Sequence, residues 1–556
     1  MEILFLLHTQ HNMHKKVLLL FISIIFIAAL LRLWQLGNMP PSPDWDEVAL
    51  GYNSYSILHT GKDEFGKLFP VVLRSFDDYK PALYAYLAIP TVALFGLTVF
   101  AVRLPSVICG ILAVIGVFFL VRELFKKDTL ALLSSLLLAI SPWHIQFSRV
   151  AFETNVGLTC NIFAALFFIK GVKKPVFLIF SVLCMVAAIY VYQSEKVFTP
   201  LLALALVIIY RKELLRLAKV SIVLPVVIGI VTILPMLLFL ATNKQALLRA
   251  QATSIFQNKT VLLQKNIRSI EYDKQTHDKL GLVFDNRRVV YAQTIIDGYL
   301  SHFNFNWFLN GDISRHHAPD MGIIYIFEFP FILIGIYQLV FGNYDKKTKQ
   351  LIFSWLLLAP VPAAATTGVP HAVRTLNFLP TWQIFSAIGM LTAYIYWQRI
   401  TYKLVKISVI SIIGIFAIAN FCYYLNQYFV QQFYANSSEW QYGYVQLIPE
   451  VEKIKNSYRK IIVADREPMD NSYMFFAFYL QYPPIAYQAA NRNRSGGFAA
   501  NHTFDKFEFR QFDWNQEPHN LDVLYIGTPK DFPKGIKTMR TINYPDSTSA
   551  MMIVRK

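Results

Sequence analysis

The sequence predicts an all-α polytopic membrane protein of about eleven spans, with a small extracytoplasmic α/β domain at its C-terminus. Three observations lead there. Hydrophobic residues fill 55% of the 556 positions and charged residues only 16%, with a mean hydropathy of +0.40, whereas charged residues alone approach about a quarter of a soluble domain. Apolar runs of about 20 residues, enough to cross about 30 Å of hydrocarbon, recur along the first 426 positions. Basic clusters flank those runs.

The runs begin near positions 17, 104, 129, 156, 175, 197, 220, 321, 351, 375 and 407. Segments 1–16, 122–128, 170–174, 211–219, 344–349 and 399–406 hold eighteen Lys or Arg against five acids, which leaves +13 of the net +17. This is the positive-inside pattern of short cytoplasmic loops. It excludes the continuous basic stripe of a nucleic-acid binder. A further run, 82–97, is short and contains Pro90 and Gly96. Were it a full crossing, every later basic cluster would change sides, so it reads as a re-entrant or juxtamembrane helix whose backbone is satisfied by protein. The run after His14-Lys15-Lys16 is long and lacks a small-residue cleavage site, so it is expected to stay as the first span.

This topology puts segments 37–103, 148–155, 192–196, 241–319, 367–374 and everything after about 427 on the outer side. The chain divides into a membrane module, 1–426, and a soluble domain, 427–556. In the latter, short β-rich runs such as Lys460-Ile461-Ile462-Val463-Ala464 alternate with Pro, Asn and Gly. Cys109, Cys160, Cys184 and Cys422 all lie in apolar runs without metal-ligand spacing, which predicts neither disulfides nor a zinc site built on cysteine. Neither a Walker A loop nor GxGxxG is present, so nucleotide hydrolysis and dinucleotide chemistry have no visible seat.

Chemistry concentrates in the first external loop, 37–103, whose seven carboxylates are Asp44, Asp46, Glu47, Asp63, Glu64, Asp77 and Asp78. The adjacent Asp46 and Glu47, just beyond a span, are the candidate catalytic residues: one carboxylate deprotonates an acceptor hydroxyl while a like-charged neighbour tunes it. Asp44-Trp45-Asp46 also spells DxD, without the soluble unit that accompanies it in nucleotide-sugar enzymes. Lys80, Arg149, Lys196 and Arg374, the last close to His371, share the external face, where they would grip a departing phosphate. His302, His316 and His317 with Asp312 and Asp320 would offer imidazole and carboxylate to a divalent ion. Their spacing follows no ligand rhythm, and no metal site is assigned.

Trp45-Asp46-Glu47, Asp78-Tyr79-Lys80-Pro81-Ala82-Leu83-Tyr84, Arg103-Leu104-Pro105-Ser106, Ser141-Pro142-Trp143-His144 with Ser148-Arg149, and Pro370-His371-Ala372-Val373-Arg374 together resemble the GT-C superfamily of membrane glycosyltransferases. The nearest branches are the protein O-mannosyltransferases and the lipid A aminoarabinose transferases, a family 39-like group. The resemblance runs from about 30 to 400. It implies the GT-C fold and inverting transfer of a sugar from a polyprenyl-phosphate donor to a hydroxyl acceptor on a lipid, glycan or protein, at the outer face of the cell membrane. It also implies Asp46 as base, Glu47 as its neighbour, Lys80 and Arg149 as basic residues, and Glu153 as the second-loop acid. No cofactor is required, although a divalent cation is compatible. Two departures stand out: Pro81-Ala82 replaces Pro-Pro, and Ala49 stands near the place of an arginine found in aminoarabinose transferases. Aminoarabinose is therefore not implied as the donor, and the lack of an inserted β-trefoil in 241–319 weakens protein as the acceptor. The alternative reading is a transporter or flippase of lipid-linked glycans, although neither paired halves nor midplane charges point to it. A third reading, a glycan-binding partner with decayed catalytic residues, is opposed by the intact Asp46-Glu47 pair.

Overall fold

A computed structural model describes residues 2–76, 78–243, 251–257, 259–491, 501–518 and 522–556. Asp77, one of the seven loop carboxylates, lies outside the described residues.

Each apolar run of the sequence lies on a helix. The chain opens with α1 (Glu2–Leu33) and α2 (Trp45–Thr60), then the hairpin β1 (Val72–Ser75) and β2 (Asp78–Pro81), then α3 (Leu83–Phe95) and α4 (Val99–Phe125). It continues through α5 (Asp128–Ile140), α6 (Pro142–Ser148), α7 (Glu153–Gly171), α8 (Val176–Ile189) and α9 (Glu195–Ile209). Among the described residues, six helices are long and apolar enough to cross a bilayer, or seven if α5 and α6, bent by 60° between Ile140 and Pro142, form one span. The expected count of eleven exceeds this because α8, α9, Glu328–Phe341 and Lys346–Leu358 have only 13–15 residues. At 1.5 Å per residue such helices reach about 20 Å. The run 82–97 is likewise a short helix, α3, with Pro90 inside it.

Four of the basic clusters, 122–128, 170–174, 211–219 and 344–349, meet at one end of the bundle. Lys173 pairs with Glu123 at 2.7 Å, Lys347 pairs with Glu213, and the Thr348 hydroxyl donates to the Leu124 carbonyl at 3.2 Å. α4 leaves that end and, over 27 residues or about 40 Å, reaches Arg103 beside the first loop. Its two ends therefore separate the basic clusters from the loop acids.

The C-terminal residues form a six-stranded mixed sheet in the order β4-β5-β3-β6-β8-β7. Its strands are β3 (Lys460–Val463), β4 (His502–Phe504), β5 (Phe507–Phe509), β6 (Val523–Gly527), β7 (Arg540–Asn543) and β8 (Ser549–Arg555). β3 runs parallel to both β5 and β6, and helices such as Ser472–Tyr479 and Gly443–Ile454 accompany it, as the α/β expectation required. This domain does not hang free. One hydrophobic cluster joins Val48, Tyr52, Ala85 and Val102 of the membrane module to Phe475, Phe478, Phe509 and Ile526. Gly51 permits the contact, since a Cβ there would stand 2.6 Å from Val102 and 2.7 Å from Phe478. The Tyr52 hydroxyl donates to the Tyr482 carbonyl at 2.9 Å, and Gln488 donates to Ser56, Thr60 and the Asp63 carbonyl.

Candidate active site

The site is built on the first turn of α2. Asp44 is its N-cap, accepting from the Asp46 amide at 2.8 Å, while Glu47 Oε2 accepts from the Asp44 amide at 3.0 Å. This reciprocal capping box fixes the turn and leaves Asp46 on the cavity side, at a helix end that favours negative charge. The hairpin brings Lys80 to it: Leu73 opposite Lys80 sets the register, and Lys80 Nζ donates to Asp46 Oδ1. Burial alone would lower the Lys80 pKa, but Asp46 and Glu153 outweigh it and hold the ammonium above its ordinary value.

Asp46 and Lys80 open onto a cavity of about 760 Å³ whose wall also includes Trp45, Phe76, Glu153, Tyr192, Arg315, His316, His371 and Arg374. Arg315 pairs with Asp44 and lies over the Trp45 ring at 4.4 Å. Burial raises the Asp44 pKa, against the pull of Arg315. Arg374 is held by Thr366 Oγ1 at 2.6 Å and the Thr367 carbonyl at 2.7 Å. On the same wall, His316 Nδ1 stands 3.0 Å from both Asp312 oxygens. Burial would raise the Asp312 pKa, yet hydrogen bonds from His316 and the Ala372 amide bring it down to about 2. Burial, His316 and Arg374 push the imidazole of His371 down to about 2, and burial brings His302 down to about 4.

Five of the eight residues singled out in the sequence meet here: Asp46, Lys80, Glu153, His371 and Arg374. Three do not line the cavity. Glu47 is buried behind it, bound to Arg103 at 2.9 and 3.0 Å and accepting from the Ala151 amide at 2.9 Å, so its oxygens are committed to scaffold contacts. The Arg149 guanidinium donates to the carbonyls of Leu31, Arg32 and Met39 at 2.8, 2.9 and 3.0 Å and packs on Tyr428 and Phe429. It fastens α1 and the following loop instead of meeting the cavity. Lys196 stands one contact away, donating to Gln193 Oε1 at 2.7 Å. Arg315 and Tyr192 were missed. Arg315 is 271 positions from Asp44, and no local pattern announces such a partner, whereas Trp45 between two acids was a readable sign.

The likenesses to known proteins agree with this architecture. The family profile described as dolichyl-phosphate-mannose-protein mannosyltransferase matches residues 79–239. ArnT from Cupriavidus metallidurans bound to undecaprenyl phosphate superposes with a TM-score of 0.53 at 11% identity, covering 96% of this chain and 97% of that one. The chain has the GT-C fold. The apo state of the same ArnT gives 0.53 at 12% identity, with 97% and 98% coverage. The Archaeoglobus fulgidus oligosaccharyltransferase tethered with an acceptor peptide gives 0.50 at 14% identity, over 84% of this GT-C chain. The chain spans only 63% of that archaeal protein's length. No curated protein matches it in sequence.

Proposed function

We propose that the protein is an inverting membrane glycosyltransferase that moves a hexosyl or pentosyl group from a polyprenyl-phosphate donor to a hydroxyl acceptor in the cell envelope. The observation that carries this reading is the Asp46–Lys80 pair in the wall of the 760 Å³ cavity, a carboxylate for an acceptor hydroxyl and a cation for a sugar phosphate side by side. The cavity lies at the opposite end of α4 from the basic clusters, which supports a site on the outer face. The ArnT structure holding undecaprenyl phosphate supports the donor class.

In the reaction, Asp46 takes the proton from the acceptor hydroxyl as its oxygen attacks the anomeric carbon. The bond from that carbon to the phosphate oxygen breaks, its electron pair leaves with the polyprenyl phosphate, and the configuration inverts. Lys80 neutralises the departing phosphate, with Arg374 and Arg315 adding positive potential across the cavity. Glu47 and Arg103 act as positioning residues. They fix the α2 turn from behind, since Arg103 also donates to the carbonyls of Leu36, Pro40 and Ser42.

The test is transfer from a panel of polyprenyl-phosphate sugars in proteoliposomes, with envelope glycolipids and glycoproteins of a deletion strain compared by mass spectrometry to find the acceptor. A missing sugar that only the parent chain restores is expected. Movement of lipid-linked glycan across the bilayer without a new glycosidic bond would replace this reading with the transporter.

A further inference from the structure

We propose that Asp312, His316 and His371 form a site for a zinc-class divalent cation in the wall of the cavity, with an open coordination position facing the cavity. One ligand atom from each lies within 4.8 Å of the other two. Around tetrahedral zinc, with ligand distances of about 2.0–2.2 Å, neighbouring ligands stand about 3.3–3.5 Å apart. Asp312 and His316 are already at 3.0 Å, so closing the set from within 4.8 Å takes side-chain shifts of at most about 1.5 Å to reach that spacing.

Three features make this more than proximity. His371 Nδ1 is buried and has no hydrogen-bond partner among the described residues, the state of an imidazole nitrogen awaiting a ligand. The backbone around it is already seated, because the His371 amide donates to His302 Nε2 at 3.2 Å and the Ala372 amide to Asp312 Oδ2 at 2.8 Å. His302 in turn is held through Nδ1 by the Gly298 carbonyl at 2.7 Å. Such outer contacts are what orient ligand side chains in metal sites.

The donor set chooses the metal. Two imidazoles and a carboxylate suit zinc and its borderline neighbours, whereas magnesium and calcium want oxygen. Three protein ligands leave one position of a tetrahedron, and His316 and His371 both line the cavity, so that position is open to water or an anionic group. A bound cation would tie the 312–316 turn to the 371 loop and add two positive charges to the wall that carries Arg374.

The site is tested by metal content, independently of the transferase reading. Full-length protein in nanodiscs, with any polyhistidine tag removed and metals stripped by chelation, is titrated with Zn²⁺ and with Co²⁺. One saturable equivalent per chain is expected, with the visible absorption of four-coordinate cobalt. His371→Gln and Asp312→Asn should each weaken it at least about tenfold while melting like the metal-free parent. Absence of a saturable equivalent on the parent overturns the proposal. So does its persistence in both variants, or preference for Mg²⁺ over Zn²⁺. If one variant fails to fold, the parent titration and the other variant still decide. Loss of transfer in Asp46→Asn leaves these outcomes unchanged.

Discussion

Asp46 and Glu47 are neighbours in the chain, and their two ion pairs divide the cavity from the scaffold behind it. The Asp46 side chain is 29% exposed and shares Lys80 with an open space, whereas Glu47 is 1% exposed and every contact it makes is internal. Both pairs bring an acid and a base together. Their difference lies in what else can reach them: a substrate phosphate or hydroxyl can approach Asp46 and Lys80, but nothing can approach Glu47 and Arg103 without unfolding the loop. A charge at a cavity wall is open to a ligand, and the same charge one residue later holds the wall in place.

The strongest way to break this comparison is Asp46→Asn. Asn keeps the shape but accepts no proton, so the transfer rate should fall by about 10² to 10⁴ while the melting temperature stays at the parental value. A rate within about tenfold of the parent would remove Asp46 as the base.

Glu47→Gln should do the reverse, lowering stability by about 3–5 kcal/mol because it leaves the buried Arg103 unpaired. Thermal unfolding in detergent would show this, and whatever protein stays folded should still bind donor. Arg149→Ala belongs with it: each of the three carbonyls it now satisfies would cost about 1–3 kcal/mol if left without a donor, with the donor KM unchanged. A raised KM at parental stability would return Arg149 to the substrate.

Lys80→Ala separates the two classes from the other side. Loss of a charged hydrogen bond to the donor is expected to cost about 1.5–3 kcal/mol in kcat/KM, measured against donor concentration.

The smallest effect concerns Glu64, beside this region, where burial pushes the carboxyl up to about 8 against the opposing hydrogen bond from Asn53. Its pKa is higher folded than unfolded, so its contribution is present at low pH and is lost as pH rises from the unfolded value near about 4.3 to about 8. Melting temperatures between those limits should decline with pH in the parent and decline less in Glu64→Gln.

Much of this was legible in the sequence because membrane solvation writes itself as composition. Apolar runs located the helices, basic clusters located one end of the bundle, and the density of acids in 37–103 pointed to Asp46. The motif order from Trp45 to Arg374 gave the GT-C resemblance. Three things were not legible. Whether a 13–15-residue helix completes a crossing depends on what adjoins it, so the count of spans did not follow from the runs. The facing of Arg149 and Glu47 was equally hidden, since both lie beside cavity residues in the chain and only tertiary contacts turn them inward. Lys80 and Asp46 meet through a hairpin, β1–β2, that no local signal announced.

The seam between α2 and the C-terminal sheet has a bearing on how the protein comes into being. The Tyr52 hydroxyl bonds a carbonyl 430 positions downstream, and the apolar face around Gly51 closes on Phe478 as well as on Val102. At a synthesis rate of about 5–20 residues per second, the helix that bears Asp46 waits roughly 20–90 s for its partner. During that interval the part of its apolar face that meets Phe478 stands uncovered, open to lipid or a chaperone. Packing of the helix that bears Asp46 is therefore completed late in biogenesis, when the final domain is delivered and folds against it.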